Sequence, residues 1–332
     1  MTTIFSGIKP TGHLTLGNYL GAIARWVDID QHQSDAFFSV VDLHALTVEH
    51  DPARVRRLSR QTATLMLAAG LDPALCTLFV QSHVDEHTRL SYLLECVATD
   101  GELRRMIQYK EKSARARESG DSVRFSLLSY PVLMAADILA YRTDEVPVGE
   151  DQTQHVELAR DLAVRFNQRY GQTFTVPRAT RPQVAARVMD LQDPTGKMGK
   201  SHRDTAGIVY LLDDLDTVRK KIMRAVTDSG RDVVYDRDAR PGVANLLDIL
   251  AACRGGDPAA LAASYDSYGA LKRDTVEAVV EVLRPLQERH AALAADPAQV
   301  DKVLRDGAER ARSVARSVVD AAYAAIGLLP AA

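Results

Sequence analysis

The sequence predicts an α/β chain: a parallel β-sheet with a helical insertion, followed by an all-α C-terminal region. Three observations lead there. Short segments rich in β-branched and aromatic residues alternate with helical stretches through the first half. The strand signals fade beyond Ser201, and only helical spacing remains after it. Strand–helix–strand alternation implies parallel pairing with right-handed crossovers.

In chain order, Thr3-Ile4-Phe5-Ser6 reads as the first buried strand and Gly17 to Val27 as the helix after it. Phe37-Phe38-Ser39-Val40-Val41 is the second strand. Asp51-Pro52 opens the next helix, which runs to about Ala69 and stops at Gly70. An acidic N-cap followed by proline in the first helical position is the start signal there. Thr77-Leu78-Phe79-Val80-Gln81 and Glu145-Val146-Pro147-Val148 are the third and fourth strands. A helical insertion lies between them, roughly 84–143, and its Leu103 to Arg117 portion is basic. Later, Val218 to Val226 ends at Thr227-Asp228-Ser229-Gly230, and Leu246 to Cys253 ends at Gly255-Gly256. Leu304, Ala308, Ala311, Ala315, Val318, Ala322 and Ile326 recur at three and four residues, one apolar face of a long helix. The expected division falls near 205, into a sheet domain of residues 1–205 and a helical domain of 206–332.

The bulk properties exclude several classes. A chain of 332 residues with 46% apolar and 26% charged residues is an ordinary globular composition. The formal net charge of -3 gives no global attraction to nucleic acid, so any RNA would meet local patches. Cys76, Cys96 and Cys253 form no paired or clustered pattern, which points to reduced thiols, a cytoplasmic setting and no protein-held metal. The N-terminal residues do not read as a signal peptide. The longest apolar stretch, Tyr130 to Tyr141, is interrupted by Asp137 and too short to span a bilayer.

Ligands of such sheets bind beyond the carboxyl ends of the strands. Polar residues gather there: Ser6-Gly7, Asp42 with His44, and Gly149-Glu150-Asp151. After the first strand, Gly7, Gly12, Gly17 and Gly21 let backbone approach a nucleotide closely, and the helix that follows presents its N-terminus to phosphate. Far downstream, Lys197 and Lys200 in Lys197-Met198-Gly199-Lys200-Ser201 offer charge to leaving phosphates. Each feature alone has a plain alternative, a structural glycine turn or a solvated basic loop. Asp137 within Met134-Ala135-Ala136-Asp137-Ile138-Leu139 is costly to bury unless it accepts a hydrogen bond.

The two stretches resemble the HIGH and KMSKS signatures of class I aminoacyl-tRNA synthetases. Over nearly the whole chain the sequence resembles the bacterial-type tryptophanyl-tRNA synthetases. The segments IFSGIKPTGHLTLGNYLGA, YPVLMAADILAY, VPVGEDQTQHVELARDLAVRFN, ARVMDLQDPTGKMGKS and RPGVANLLDIL carry the match, and the GEDQTQHVELARD string is its most specific part. The resemblance implies a Rossmann-type catalytic domain, a helical anticodon-binding domain and a homodimer. It also implies ATP with Mg2+ held through the phosphates, and L-tryptophan and tRNA(Trp) as substrates. Position by position it implies ATP contacts at Lys9, Pro10, Thr11, Thr15, Gly17 and Asn18, at Gly149, Glu150 and Asp151, at Arg187, Val188 and Met189, and at Lys197, Met198, Gly199, Lys200 and Ser201. Lys112, Lys197, Lys200 and Asn18 take the catalytic roles. Asp137 matches the acceptor of the indole N–H, and Phe5, His44, Tyr130, Met134, Val146, Val148 and Gln152 match the rest of the tryptophan pocket. A site for indole needs apolar walls and one buried acceptor, which these residues supply. Phenylalanine, lacking the N–H, would leave the acceptor unpaired.

His13 falls two residues early for a HIGH histidine and is expected to be exposed and without a catalytic role. The chain departs from the common pattern at Lys9 and Leu43, both usually glutamine, and at Gly199, usually serine; altered ATP affinity, or altered sensitivity to indole-containing inhibitors, is expected, with the reaction unchanged. Arg104, Arg105, Lys110, Arg115 and Arg117 offer charge to RNA phosphates. A tyrosyl enzyme, a small nucleotidyltransferase and a duplicated synthetase kept as a regulator are the rival readings.

Overall fold

The computed structural model describes residues 1–149, 152–180, 187–199 and 205–329. Its centre is a parallel sheet of β1 (Thr2–Ile8), β2 (Ser34–Val40), β3 (Thr77–Val80), β4 (Glu145–Pro147) and β5 (Arg178–Thr180), in the order β3-β2-β1-β4-β5. The four predicted strands are all present. The fifth is an addition: Arg178–Thr180 is too short to carry a periodic signal, and its place is set by pairing with β4.

The segment after β1 is less regular than a single helix. α1 (Leu16–Asn18) passes into π-helical turns at Tyr19–Ile23 and Trp26–Asp30, and α2 (Gln31–Gln33) leads into β2. Such π turns often mark functional sites. α3 (Pro52–Ala69) follows the sequence signals: the Asp51 carboxylate accepts from the Ala53 and Arg54 amides, and Gly70 turns the chain out at φ 118°. The insertion holds α4 (Glu86–Glu95), α5 (Asp100–Arg105), α6 (Ile107–Glu118) and α7 (Phe125–Leu139). α8 (Thr153–Tyr170) links β4 to β5. The later helices are α9 (Leu215–Met223), α10 (Pro241–Arg254), α11 (Pro258–Ala262), α12 (Tyr268–Ala295) and α13 (Pro297–Ile326). Among the described residues no helix is long and apolar enough to cross a membrane.

Strand alternation divides the interior in two. Ile4, Ile8, Ala36, Phe38, Val40, Leu78 and Val80 face a core shared with residues from Val188 to Leu304. Phe5, Phe37 and Phe79 face the other core, built from the insertion helices, α8 and the Ala308 to Ala322 stripe of α13. The last helix therefore packs back on the sheet. At Gly307 it meets the backbone of edge strand β3 so closely that a Cβ would lie 1.9 Å from the Leu78 carbonyl oxygen. A helix laid along an edge strand in this way shields its free backbone groups.

Candidate active site

The sheet order reverses on either side of β1: β2 and β3 lie to one side, β4 and β5 to the other. The crevice at the carboxyl ends of β1 and β4 is thus the switch point where ligands bind. Lys9 to Asn18 leave β1 there, and Val148-Gly149 leave β4.

Thr15 is fully buried and caps α1. The Asn18 amide donates to Thr15 Oγ1 (3.2 Å), and the Thr15 amide donates to Asn18 Oδ1 (3.1 Å), a reciprocal box that fixes the turn. Downstream chain braces this turn. The Leu16 amide donates to Val209 O (2.8 Å) and the Leu211 amide to Leu14 O (2.9 Å). The lysine stretch also reaches it. Thr15 Oγ1 donates to Met198 O (3.4 Å), and a Cβ on Gly17 would lie 3.2 Å from that oxygen. The two distant sequence motifs therefore touch at Thr15, Gly17 and Met198.

Val188 to Met198 double back on themselves. The Met198 amide donates to Val188 O (3.1 Å), the Asp190 amide donates to Gly196 O (2.8 Å), and Met189 opposes Lys197. Val188 and Met198 are buried, Met189 and Gly199 half-buried, Arg187 and Lys197 exposed. Glu150, Asp151, Lys200 and Ser201 lie outside the described residues.

Two further lysines stand at this crevice. Lys9 Nζ donates to Thr47 Oγ1 (3.0 Å). Burial, and then the charge of Lys112, bring the Lys9 ammonium down to about 8. Lys112 Nζ donates to Gln108 Oε1 (3.0 Å) and lies 5.5 Å from the Tyr130 ring centroid. Its own titration is lowered by partial desolvation, with Glu111 opposing and Arg115 adding to the shift. Pro10 is buried and Thr11 half-buried, next to Lys9 in the chain.

The predicted amino-acid pocket occupies the other face of the sheet. Phe5 and Val146 are buried there, with Tyr130, Met134 and Val148 packed against the same core. Gln152 follows Gly149, its amide donating to Gly149 O (3.0 Å). Asp137, 1% exposed, is the polar centre. His44 Nε2 donates to Oδ2 (2.7 Å), His87 Nδ1 donates to Oδ1 (2.5 Å), and Gln81 Nε2 reaches both oxygens (2.8 and 2.9 Å). Burial alone would raise this carboxyl; the His87 and His44 imidazoles overcome it and bring it to about 2. It is an acceptor-only carboxylate at neutral pH. Tyr130 shares its hydroxyl with Gln108 Oε1 (3.2 Å) and His155 Nε2 (2.8 Å), and its ring meets His44 edge-on, centroids 6.2 Å apart.

Sequence reasoning missed Gln81, His87 and Tyr141. Tyr141 hydrogen-bonds the remaining ring nitrogen of His87 (2.5 Å) and stacks on Phe5 and Phe37. Only Gln81 carried a signal, at the carboxyl end of the predicted third strand. His13 is exposed, with Nδ1 2.8 Å from Gln61 Oε1. Arg104, Arg105, Lys110, Arg115 and Arg117 are exposed on α5 and α6, and Arg104 is paired with Asp100. Among the described residues no cluster of metal-ligating side chains occurs.

The sequence matches a family model for class I tRNA synthetases (W and Y) over residues 1–284. It is 78% identical to a tryptophan–tRNA ligase 1 of Streptomyces avermitilis, with 100% of each chain covered. The corresponding ligase 1 of Streptomyces coelicolor is 77% identical over 99% of this chain and 98% of its own. The crystal structure of tryptophanyl-tRNA synthetase from Mycoplasma pneumoniae matches with a TM-score of 0.92 at 37% identity, over 99% of this chain and 98% of that one. A Campylobacter jejuni tryptophanyl-tRNA synthetase, complexed with ADP and tryptophan, matches at 0.81 and 32% identity over 98% and 100%. With its two signature stretches joined at the switch point of a parallel sheet and matches that run its whole length, this chain belongs to the class I tRNA synthetases of the tryptophan and tyrosine branch.

Proposed function

We infer that the chain is an ATP-dependent aminoacyl-tRNA ligase that activates L-tryptophan to tryptophanyl-adenylate and transfers it to tRNA(Trp). The observation that carries this reading is the contact of Thr15 and Gly17 with Met198, taken with a buried, ionised Asp137 held by His44, Gln81 and His87. In the first step a tryptophan carboxylate oxygen attacks the ATP α-phosphorus in line. The bond to the bridging oxygen breaks, and pyrophosphate leaves with its charge. Lys112, Lys197 and Lys200 neutralise that charge, Asn18 fixes the turn that holds the nucleotide, and Mg2+ arrives with ATP as its phosphate complex. In the second step a terminal ribose hydroxyl of the tRNA attacks the adenylate carbonyl and AMP leaves.

Asp137 is the proposed acceptor of the indole N–H. Gln81 reaches both carboxylate oxygens from one nitrogen. By settling on Oδ1 it frees a lone pair on Oδ2 without losing its partner. The helical region beyond 205 is the proposed reader of the tRNA, the exposed arginines of α5 and α6 its phosphate contacts, and the cytoplasm its setting. A homodimer would cover exposed apolar side chains of the insertion, Tyr92, Ile107 and Phe125 among them.

Pyrophosphate exchange into ATP tests the reading, run with tryptophan and with tyrosine and followed by tRNA charging. Exchange is expected with tryptophan alone, and its absence overturns the reading. Asp137→Asn should raise KM for tryptophan about 10- to 100-fold, the value of a hydrogen bond to a charged group. An unchanged KM would remove Asp137 from the pocket.

A further inference from the structure

We propose that Asn245, on α10 of the C-terminal helical region, is a positioning residue for the nucleotide, acting through the backbone of Met189. The inference rests on the reading of Arg187 to Met189 as the strip along the adenine.

Asn245 is 2% exposed and surrounded in sequence by buried apolar residues, Val243, Ala244, Leu246 and Leu247. An amide in that setting is costly unless both of its polar atoms are used. Here both are spent on a single residue. Oδ1 accepts from the Met189 amide (2.8 Å), and Nδ2 donates to Met189 O (3.0 Å). Successive residues of an extended chain point their amides to opposite edges. The flanking groups, Val188 O and the Asp190 amide, point to the other edge and bond Met198 and Gly196. Asn245 thus closes the free edge of the strip as a neighbouring strand would, with one side chain.

The consequence reaches the phosphates. Met189 lies opposite Lys197, and Met198 O accepts from Thr15 at the glycine turn. One carboxamide of the helical region therefore fixes the register of the adenine strip, and through it the lysine stretch and the nucleotide turn. Asp248, one turn further along α10, offers a comparison. It accepts from Tyr235 and Arg237 and touches none of these groups.

The experiment compares the parent, Asn245→Asp, Asp248→Asn and Lys197→Ala by tryptophan-dependent pyrophosphate exchange. Asn245→Asp keeps an acceptor for the Met189 amide but sets a carboxylate against Met189 O. At pH 8 it should raise KM for ATP about tenfold, the loss of one buried hydrogen bond, with KM for tryptophan within about twofold. Lowering the pH should bring the variant's KM to that of the parent at the same pH, because the protonated acid, like the amide, donates to Met189 O. A KM for ATP equal to the parent's would overturn the proposal. So would ATP and tryptophan KM values that rise together, as a general loosening by Asp248→Asn would raise them. If Lys197→Ala exchanges at the parent rate, the nucleotide reading itself fails and this inference with it. If Lys197→Ala is impaired and Asn245→Asp behaves as the parent, only the inference fails. Should Asn245→Asp not fold, the parent decides: ATP is expected to slow amide hydrogen exchange in the 240–250 segment, by the reciprocity of coupled sites, and no slowing would overturn the proposal.

Discussion

Asp137 is almost completely buried and yet holds its carboxyl at about 2, because the His87 and His44 imidazoles are aimed at it and outweigh the cost of burial. Lys9 is the reverse case. Burial and the neighbouring Lys112 make its charge expensive and bring it to about 8, a cost that a bound anion would relieve. ATP should bind the protonated form best, and its affinity should fall as pH rises through 8. If binding required that proton, KM for ATP would rise by up to about tenfold between pH 7 and 9. Lys9→Gln should flatten the profile over that interval, and a profile with the parent's slope would dissociate Lys9 from the nucleotide. Asp137 was legible in the sequence because a lone carboxylate in an apolar run must have a use. His44 was named for the pocket, but the donors Gln81 and His87 were not, because they come from other segments and only the fold brings them to Asp137.

At the scale of elements, legibility followed the strength of the local signal. The Asp51-Pro52 start and Gly70 stop of α3 are written in single residues whose backbone demands are local. β5 and the π turns after α1 are not, because pairing with β4 and packing under the sheet determine them. The stripe on α13 announced a buried helix but not its partner. Gly307 shows that partner to be the edge of β3, where the helix backbone approaches to within the space of a missing methyl. Gly307→Ala should gain about 1 kcal/mol of helix propensity. The contact is with backbone on both sides, however, and neither side can rotate away, so overpacking of about 1–3 kcal/mol or more should dominate. The expected result is a lower thermal midpoint and a lower urea midpoint with unchanged slope. A midpoint at or above the parent's would mean that α13 stands off the strand.

For the whole molecule, packing does not divide at 205. Each face of the sheet is covered by residues from both sides of 205: Val209, Leu247 and Leu304 join the core behind Ile4 and Phe38, while Ala311 and Val318 join the core in front of Phe5 and Phe79. Polar ties cross as well. Arg289 donates to Ala68 O, Arg310 to Pro73 O and Cys76 O, and Arg312 to His83 O. A fragment ending at 205 would keep every strand. It would also expose the edge of β3 and open both cores at once, with large-to-small losses of several kcal/mol repeated at many sites against a net stability of about 5–15 kcal/mol. That fragment is expected to lack a cooperative thermal transition and to aggregate through its uncovered edge. The full chain, with cores shared across the boundary, should unfold in one transition whether followed by near-ultraviolet or far-ultraviolet dichroism. A sharp, reversible transition in the fragment would show that the sheet closes without its C-terminal helix, and α13 would then be a ligand of the fold rather than part of it.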